Sequence, residues 1–123
     1  MLQAAALPSS ELSAHGEHRA HGEHGETIAS WAELFGLFSD RTRLQILYHL
    51  SRNEELNVGA LCDLIGQSQP AVSHHLSRLR DAGVLTARRE GKLRHYRLVP
   101  HRYRDVLDAA FAEVNLAEPA AAL

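Results

Sequence analysis

The stretch that most constrains this chain runs from Gly66 to Gly83, Gly-Gln-Ser-Gln-Pro-Ala-Val-Ser-His-His-Leu-Ser-Arg-Leu-Arg-Asp-Ala-Gly. It reads as one helix with a start and a stop. Ser68 is a good N-cap, its hydroxyl able to accept a free backbone N–H of the first turn. Pro70 falls in the opening turn, where its missing N–H costs nothing. Val72, Leu76, Leu79 and Ala82 form an apolar stripe near helical period, and Gly83 closes the helix. The other face carries Gln69, Ser73, His74, Ser77, Arg78 and Arg80, all hydrogen-bonding side chains without negative charge. Such a face near a helix N-terminus suits the major groove of DNA, where base edges offer donors and acceptors. An ordinary amphipathic surface helix would share the stripe, so the flanking segments decide.

Asn57 to Ile65 reads as a short helix capped by Asn57, and Gly66-Gln67 as a tight turn into the long helix; together they make a helix-turn-helix. Beyond Gly83, residues 84–89 and 93–99 are two β-prone runs around Glu90-Gly91-Lys92, a hairpin rich in arginine. Helix-turn-helix plus basic hairpin is a winged helix. The motifs Leu-Phe-Ser-Asp-Arg-Thr-Arg-Leu-Gln-Ile-Leu (37–47), Gln-Ser-Gln-Pro-Ala-Val-Ser-His-His-Leu (67–76), Leu-Arg-Asp-Ala-Gly-Val-Leu (79–85) and Arg-Arg-Glu-Gly-Lys (88–92) carry a resemblance. Through them, residues 27–114 resemble the ArsR/SmtB family of small dimeric bacterial repressors. The expected fold is mainly α with a small β-hairpin wing, a winged helix-turn-helix in the order α-α-α-α-β-β-α. The resemblance implies a homodimer through the first and last helices, bound to double-stranded palindromic operator DNA and released by an effector, a metal ion or a redox signal.

Charge is distributed as that reading requires. The chain has 123 residues and a net charge of −2, but residues 68–104 hold nine basic and two acidic residues. Residues 1–26, 27–67 and 105–123 are each net negative. Positive charge therefore sits on the polar helix, the hairpin and the start of the last helix, where one face would meet phosphates. Base-edge reading is assigned to Gln69, Ser73 and His74. Phosphate contact is assigned to Ser68, His75, Arg78, Arg80, Arg88, Arg89, Lys92 and Arg94.

Length leaves room for one domain and a tail: residues 1–26 as a disordered His-rich tail, 27–115 as the DNA-binding and dimerisation domain, and 116–123 as a short flexible tail. A domain this small buries its own core only marginally, which makes a dimer plausible. No signal peptide or apolar run of about 20 residues is present, so the expected location is cytoplasmic with no membrane partner. One cysteine excludes an internal disulfide framework and fits a reducing compartment. Cys62 reads as buried filler or a redox-sensitive thiol. Nothing near it supplies a base or a phosphate-cradling loop, so no enzyme is expected.

The tail contains a duplication, Ala14-His15-Gly16-Glu17-His18 and Ala20-His21-Gly22-Glu23-His24. His15, His18, His21 and His24 could converge on zinc or nickel, or simply solubilise the tail. A rival reading is thus a small metal-buffering protein without DNA binding, against which the basic segment argues. The first helix, Thr27 to Ser39, places Ile28, Trp31, Leu34, Phe35 and Phe38 at helical spacing. Asp40 caps a second helix, Arg41 to Ser51, with Leu44, Leu47 and Leu50 inward. In the last helix Tyr103, Val106, Leu107, Ala110, Phe111 and Val114 form a stripe too apolar to leave exposed. The expected dimer contacts are these six residues with Ile28, Trp31 and Phe35. The resemblance also implies metal sites that this chain lacks. The family's Cys-Val-Cys falls on Asn57-Val58-Gly59, and its zinc ligands of the last helix fall on Pro100, Arg102 and Glu113. A modified set would use His101, Asp105 and Asp108, which share a helix face.

Overall fold

A computed structural model describes residues 17–100 and 103–117. The elements are α1 (Glu17–Phe38), α2 (Arg41–Arg52), β1 (Leu56–Asn57), α3 (Val58–Ile65), α4 (Gln69–Asp81), β2 (Leu85–Glu90), β3 (Leu93–Leu98) and α5 (Tyr103–Ala117). They fall into two compact units, one from Leu37 to Arg104 and one made of the segments up to Gly36 and from Asp105 onward.

The Leu37–Arg104 unit is the winged helix. Each helix begins where a side chain can take a free amide. Asp40 Oδ2 accepts from Arg43 N at 3.0 Å, Asn57 Oδ1 from Ala60 N at 2.8 Å, and Ser68 Oγ from Ala71 N at 3.4 Å. The ends are equally specified. Gly66 N donates to Cys62 O at 2.7 Å where α3 stops. After α4, Gly83 N reaches Arg80 O at 2.9 Å and Val84 N reaches Leu79 O at 3.0 Å. This paired closure needs a left-handed residue, and Gly83 has φ +80°. Leu79 and Val84 are both buried, the apolar contact that accompanies such an ending.

The core of the unit comprises Phe38, Ile46, Leu47, Leu50, Leu61, Val72, Leu76, Leu79, Val84, Leu85, Tyr96, Leu98 and Tyr103. Val72, Leu76 and Leu79 are the stripe read from the sequence, each fully buried. Gln67 Nε2 donates to Thr42 Oγ1 at 2.8 Å, fixing the helix-turn-helix turn onto α2. Leu44, expected inward, is 37% exposed, and Ile46 takes the inward position instead. The inward row of α2 is Thr42, Ile46, Leu47 and Leu50, phased by the Thr42 bond to Gln67.

The sheet order is β1-β3-β2, all antiparallel. Strand β1 is an element that the sequence reading does not contain. Its two residues pair Leu56 with Tyr96 and Asn57 with His95, too short a run to show a period-2 pattern. Gly91-Lys92 joins β2 to β3, and Gly91 at φ +64° supplies the positive φ that a two-residue hairpin loop needs. At the base of the hairpin, Tyr103 Oη lies 2.8 Å from Val84 O and 2.7 Å from Val99 O, and its one proton can go to either carbonyl. The Phe38 ring meets the Tyr103 ring edge-on at 5.9 Å.

In the other unit, helix α1 begins at Glu17 rather than Thr27, so residues 17–26, expected to be disordered, are helical. Once the apolar turns downstream have nucleated a helix, each residue added upstream only propagates it, and Ala, Glu and Arg do so readily. Likewise α5 runs to Ala117, past the expected boundary at residue 115. The rings of Trp31 and Phe35 stack tilted at 5.6 Å. Ile28 and Phe35 are 67% and 52% exposed, Val114 and Ala110 are exposed, and Trp31 and Val106 are half-buried. Tyr103, Leu107 and Phe111, expected to meet a second copy, are instead buried within the chain.

Candidate nucleic-acid interface

Helix α4 presents the assigned readers as its stripe dictates. With Val72, Leu76 and Leu79 buried, Gln69, His74, Ser77, Arg78 and Arg80 stand exposed and Ser73 half-buried. The side chains of Gln69, Arg78 and Arg80 make no hydrogen bond or ion pair among the described residues. Ser68 uses its oxygen as the N-cap acceptor and keeps its hydroxyl proton to donate. No acidic residue occupies the first turn of α4, so the positive end of the helix is left for an anion.

His75 does not share that face. Its side chain is 18% exposed, with Nδ1 3.3 Å from Arg43 Nη1 and 3.8 Å from Asp40 Oδ2. A guanidinium only donates, so Nδ1 must be the acceptor and the proton of the neutral ring sits on Nε2. Arg43 also donates from Nε to Leu37 O at 2.6 Å. Burial pushes the imidazole below its usual value; Asp40 pulls it back up and Arg43 adds to the depression. The Asp40 carboxyl is held low first by the Arg43 amide and then by the His75 and Arg43 charges. His75 therefore ties α4 to the start of α2.

On the hairpin, register sorts the cations by face. The pairs Leu85–Leu98, Ala87–Tyr96 and Arg89–Arg94 share one face, and Thr86–Arg97, Arg88–His95 and Glu90–Leu93 the other. The first face is core at its base and bears two arginines toward the tip. Directly opposed like charges repel, and an anion between them removes the repulsion. Arg89, Lys92 and Arg94 are exposed, with no ion pair among the described residues. Arg88 differs. Its guanidinium binds Glu55 through Nε at 2.9 Å and Nη2 at 2.9 Å, and approaches Glu90 at 3.4 Å. Its charge is already matched, and the Glu55 carboxyl is held below the usual range by that bond. Next to it, His95 Nε2 is buried without a hydrogen-bond partner, 3.4 Å from Glu90 Oε1. Glu55 was not singled out in the sequence because it lies 33 residues from Arg88.

Among the described residues no group of three or more His, Cys, Asp or Glu could hold a metal ion. Asp105 and Asp108 are exposed on α5, and Cys62 is half-buried on α3. His15 and His101 lie outside the described residues, as do the side chains of His18, His21 and His24. No helix among the described residues is long and apolar enough to cross a membrane.

Comparison with known proteins places this geometry. The family described as "Bacterial regulatory protein, arsR family" matches residues 40–87. The arsenical resistance operon repressor of Escherichia coli is 49% identical over 69 residues, which cover 56% of this chain and 59% of that protein. An HTH-type transcriptional regulator of Methanocaldococcus jannaschii is 40% identical over 76 residues, covering 62% of this chain and 85% of that protein. Among solved structures, the transcriptional repressor BigR from Xylella fastidiosa superimposes with a TM-score of 0.71 at 28% identity, over 80% of this chain and 96% of that one.

Proposed function

Because this chain belongs to the arsR family of bacterial regulatory proteins, we propose that it is a transcriptional repressor that binds an operator as a homodimer. The carrying observation is the exposed polar face of α4, with no acid in its first turn, in the same unit as the opposed Arg89–Arg94 pair of the wing. The N-terminal half of α4 enters the major groove. Gln69 can give and take a bidentate pair at an adenine, while Ser73 and His74 reach neighbouring edges. Arg78, Arg80, Arg89, Lys92 and Arg94 contact phosphates, and Ser68 donates to one near the helix N-terminus. Arg88 and His75 leave the contact set, the first matched by Glu55 and the second held by Arg43. Two copies place two recognition helices about one helical turn of DNA apart, on a palindrome. Repression follows from occupying a promoter.

The test separates reading from anchoring by anisotropy titration of an operator duplex and a scrambled one. Gln69→Ala is expected to lose about 1–3 kcal/mol of discrimination between them. Arg89→Ala is expected to weaken both about equally. If the two variants behave alike, α4 is not the reading helix.

A further inference from the structure

The stripe of Val72, Leu76 and Leu79 sets how deep α4 sits, but burial is non-directional and fixes its rotation and its place along α2 only loosely. Hydrogen bonds carry direction, and two of them join α4 and the turn before it to α2. One is the Gln67–Thr42 bond at the turn. The other lies at mid-helix, where the Arg43 guanidinium donates from Nη1 to His75 Nδ1 at 3.3 Å. The same guanidinium donates from Nε to Leu37 O at 2.6 Å, so its planar fork is held at both ends within the Leu37–Arg104 unit. His75 adjoins His74 in the chain and is two residues from Ser73, both assigned to base edges. We infer that Arg43 is a positioning residue for base reading, acting through His75, and that a proton on His75 Nδ1 breaks this link and lowers operator affinity. The inference rests on the repressor reading and adds to it how the reading helix is held.

Arg43 binds His75 only while Nδ1 has a free lone pair. A proton there removes the acceptor and sets two cations 3.3 Å apart. Asp40 Oδ2, 3.8 Å from the same nitrogen, then becomes the better partner, and it is already the acceptor that caps α2. Protonation therefore exchanges Arg43 for Asp40 and draws the ring away from the position that the neutral link sets. The charged groups facing His75 are Asp40 and Arg43 at the start of α2, and His74 and Arg78 on its own helix. Of these Asp40 favours the proton, while Arg43, His74 and Arg78 oppose it, as burial does more strongly than any of them. The neutral ring is thus the resting form near pH 7.5. The reading arrangement and the proton compete for one nitrogen, so operator affinity falls as pH drops below about 6.5.

Anisotropy titration of the full chain with an operator duplex and a scrambled one, at pH 7.5 and at pH 5, reads the link. The ratio of the two affinities is expected to fall about fivefold or more on acidification. The scrambled duplex should be held no more weakly at pH 5, since added protons only add positive charge. In His75→Gln, whose amide oxygen can accept from Arg43 but takes up no proton, the ratio should stay nearly constant with pH. At pH 7.5, Arg43→Lys keeps the charge but lacks the fork that spans Leu37 O and His75. It should lose about fivefold or more of the ratio, the loss falling on the operator. A ratio constant with pH in the unsubstituted chain, one that falls as steeply in His75→Gln, or equal falls on both duplexes overturns the proton competition. A ratio unchanged in Arg43→Lys overturns the positioning role. A chain that prefers neither duplex at pH 7.5 overturns the repressor reading, and the link with it.

Discussion

At His75 the ring has no charge to offer a phosphate, although its place in the sequence is beside His74 on the polar helix. The stripe of Val72, Leu76 and Leu79 predicted which side of α4 is buried, but His75 lies at the border of that side, where a partner 32 residues away decides its role. The same limit hid the partner of Arg88: a cation looks free until the fold brings a Glu to it. His75 also gives a pH prediction. Its folded pKa lies below the usual 6.5, so the unfolded chain takes up more protons as pH falls through about 6.5. Its contribution to stability is complete above that pH and is lost as pH falls toward the folded value. Asp40, also depressed, adds a further loss below its usual 3.8. Urea midpoints of the unsubstituted chain are expected to fall from pH 7.5 to 5, and those of His75→Gln to fall less. Equal slopes would show that the His75–Arg43–Asp40 link does not form.

Among the elements, those with explicit caps were legible to within a residue or two: Asn57, Ser68 and Asp40 each stand where the side-chain chemistry put them. Elements without such marks were not. Strand β1 exists only because β3 offers it a ladder, and the early start of α1 follows from propagation rather than from a cap. The end of α4 provides the element-scale prediction. A Cβ at residue 83 would meet nothing within 4 Å, so Gly83→Ala carries conformational strain alone. Denaturant unfolding should show a loss of about 1–2 kcal/mol, the cost of a left-handed non-glycine residue. Gly36→Ala in α1 is the contrast, with the same open space and no positive φ. It should gain about 0.5–1 kcal/mol. A gain at residue 83 would mean that the closure of α4 is not held left-handed.

For the whole molecule, charge segregation pointed to the proposed DNA face before any coordinates, because net charge counts residues and not contacts. The expected dimer surface is a harder case. An apolar stripe on the last helix does not say whether its residues serve the chain's own core or a second copy, and Leu107 and Phe111 serve the first. The exposed Ile28 and Phe35 on α1 are better probes of assembly. Phe35→Glu is expected to leave circular dichroism unchanged and to shift sedimentation from dimer to monomer, since a charge desolvated in an interface costs several kcal/mol. A folded dimer of that variant would place the interface elsewhere.

The central claim, that Arg78, Arg80, Arg89, Lys92 and Arg94 meet phosphates while α4 reads bases, is tested most directly by the salt dependence of operator binding. If two copies together neutralise about 6–10 phosphates, affinity for the duplex upstream of the chain's own gene should fall about 10³–10⁵-fold between 50 and 200 mM salt. A flat response over that range would contradict the account.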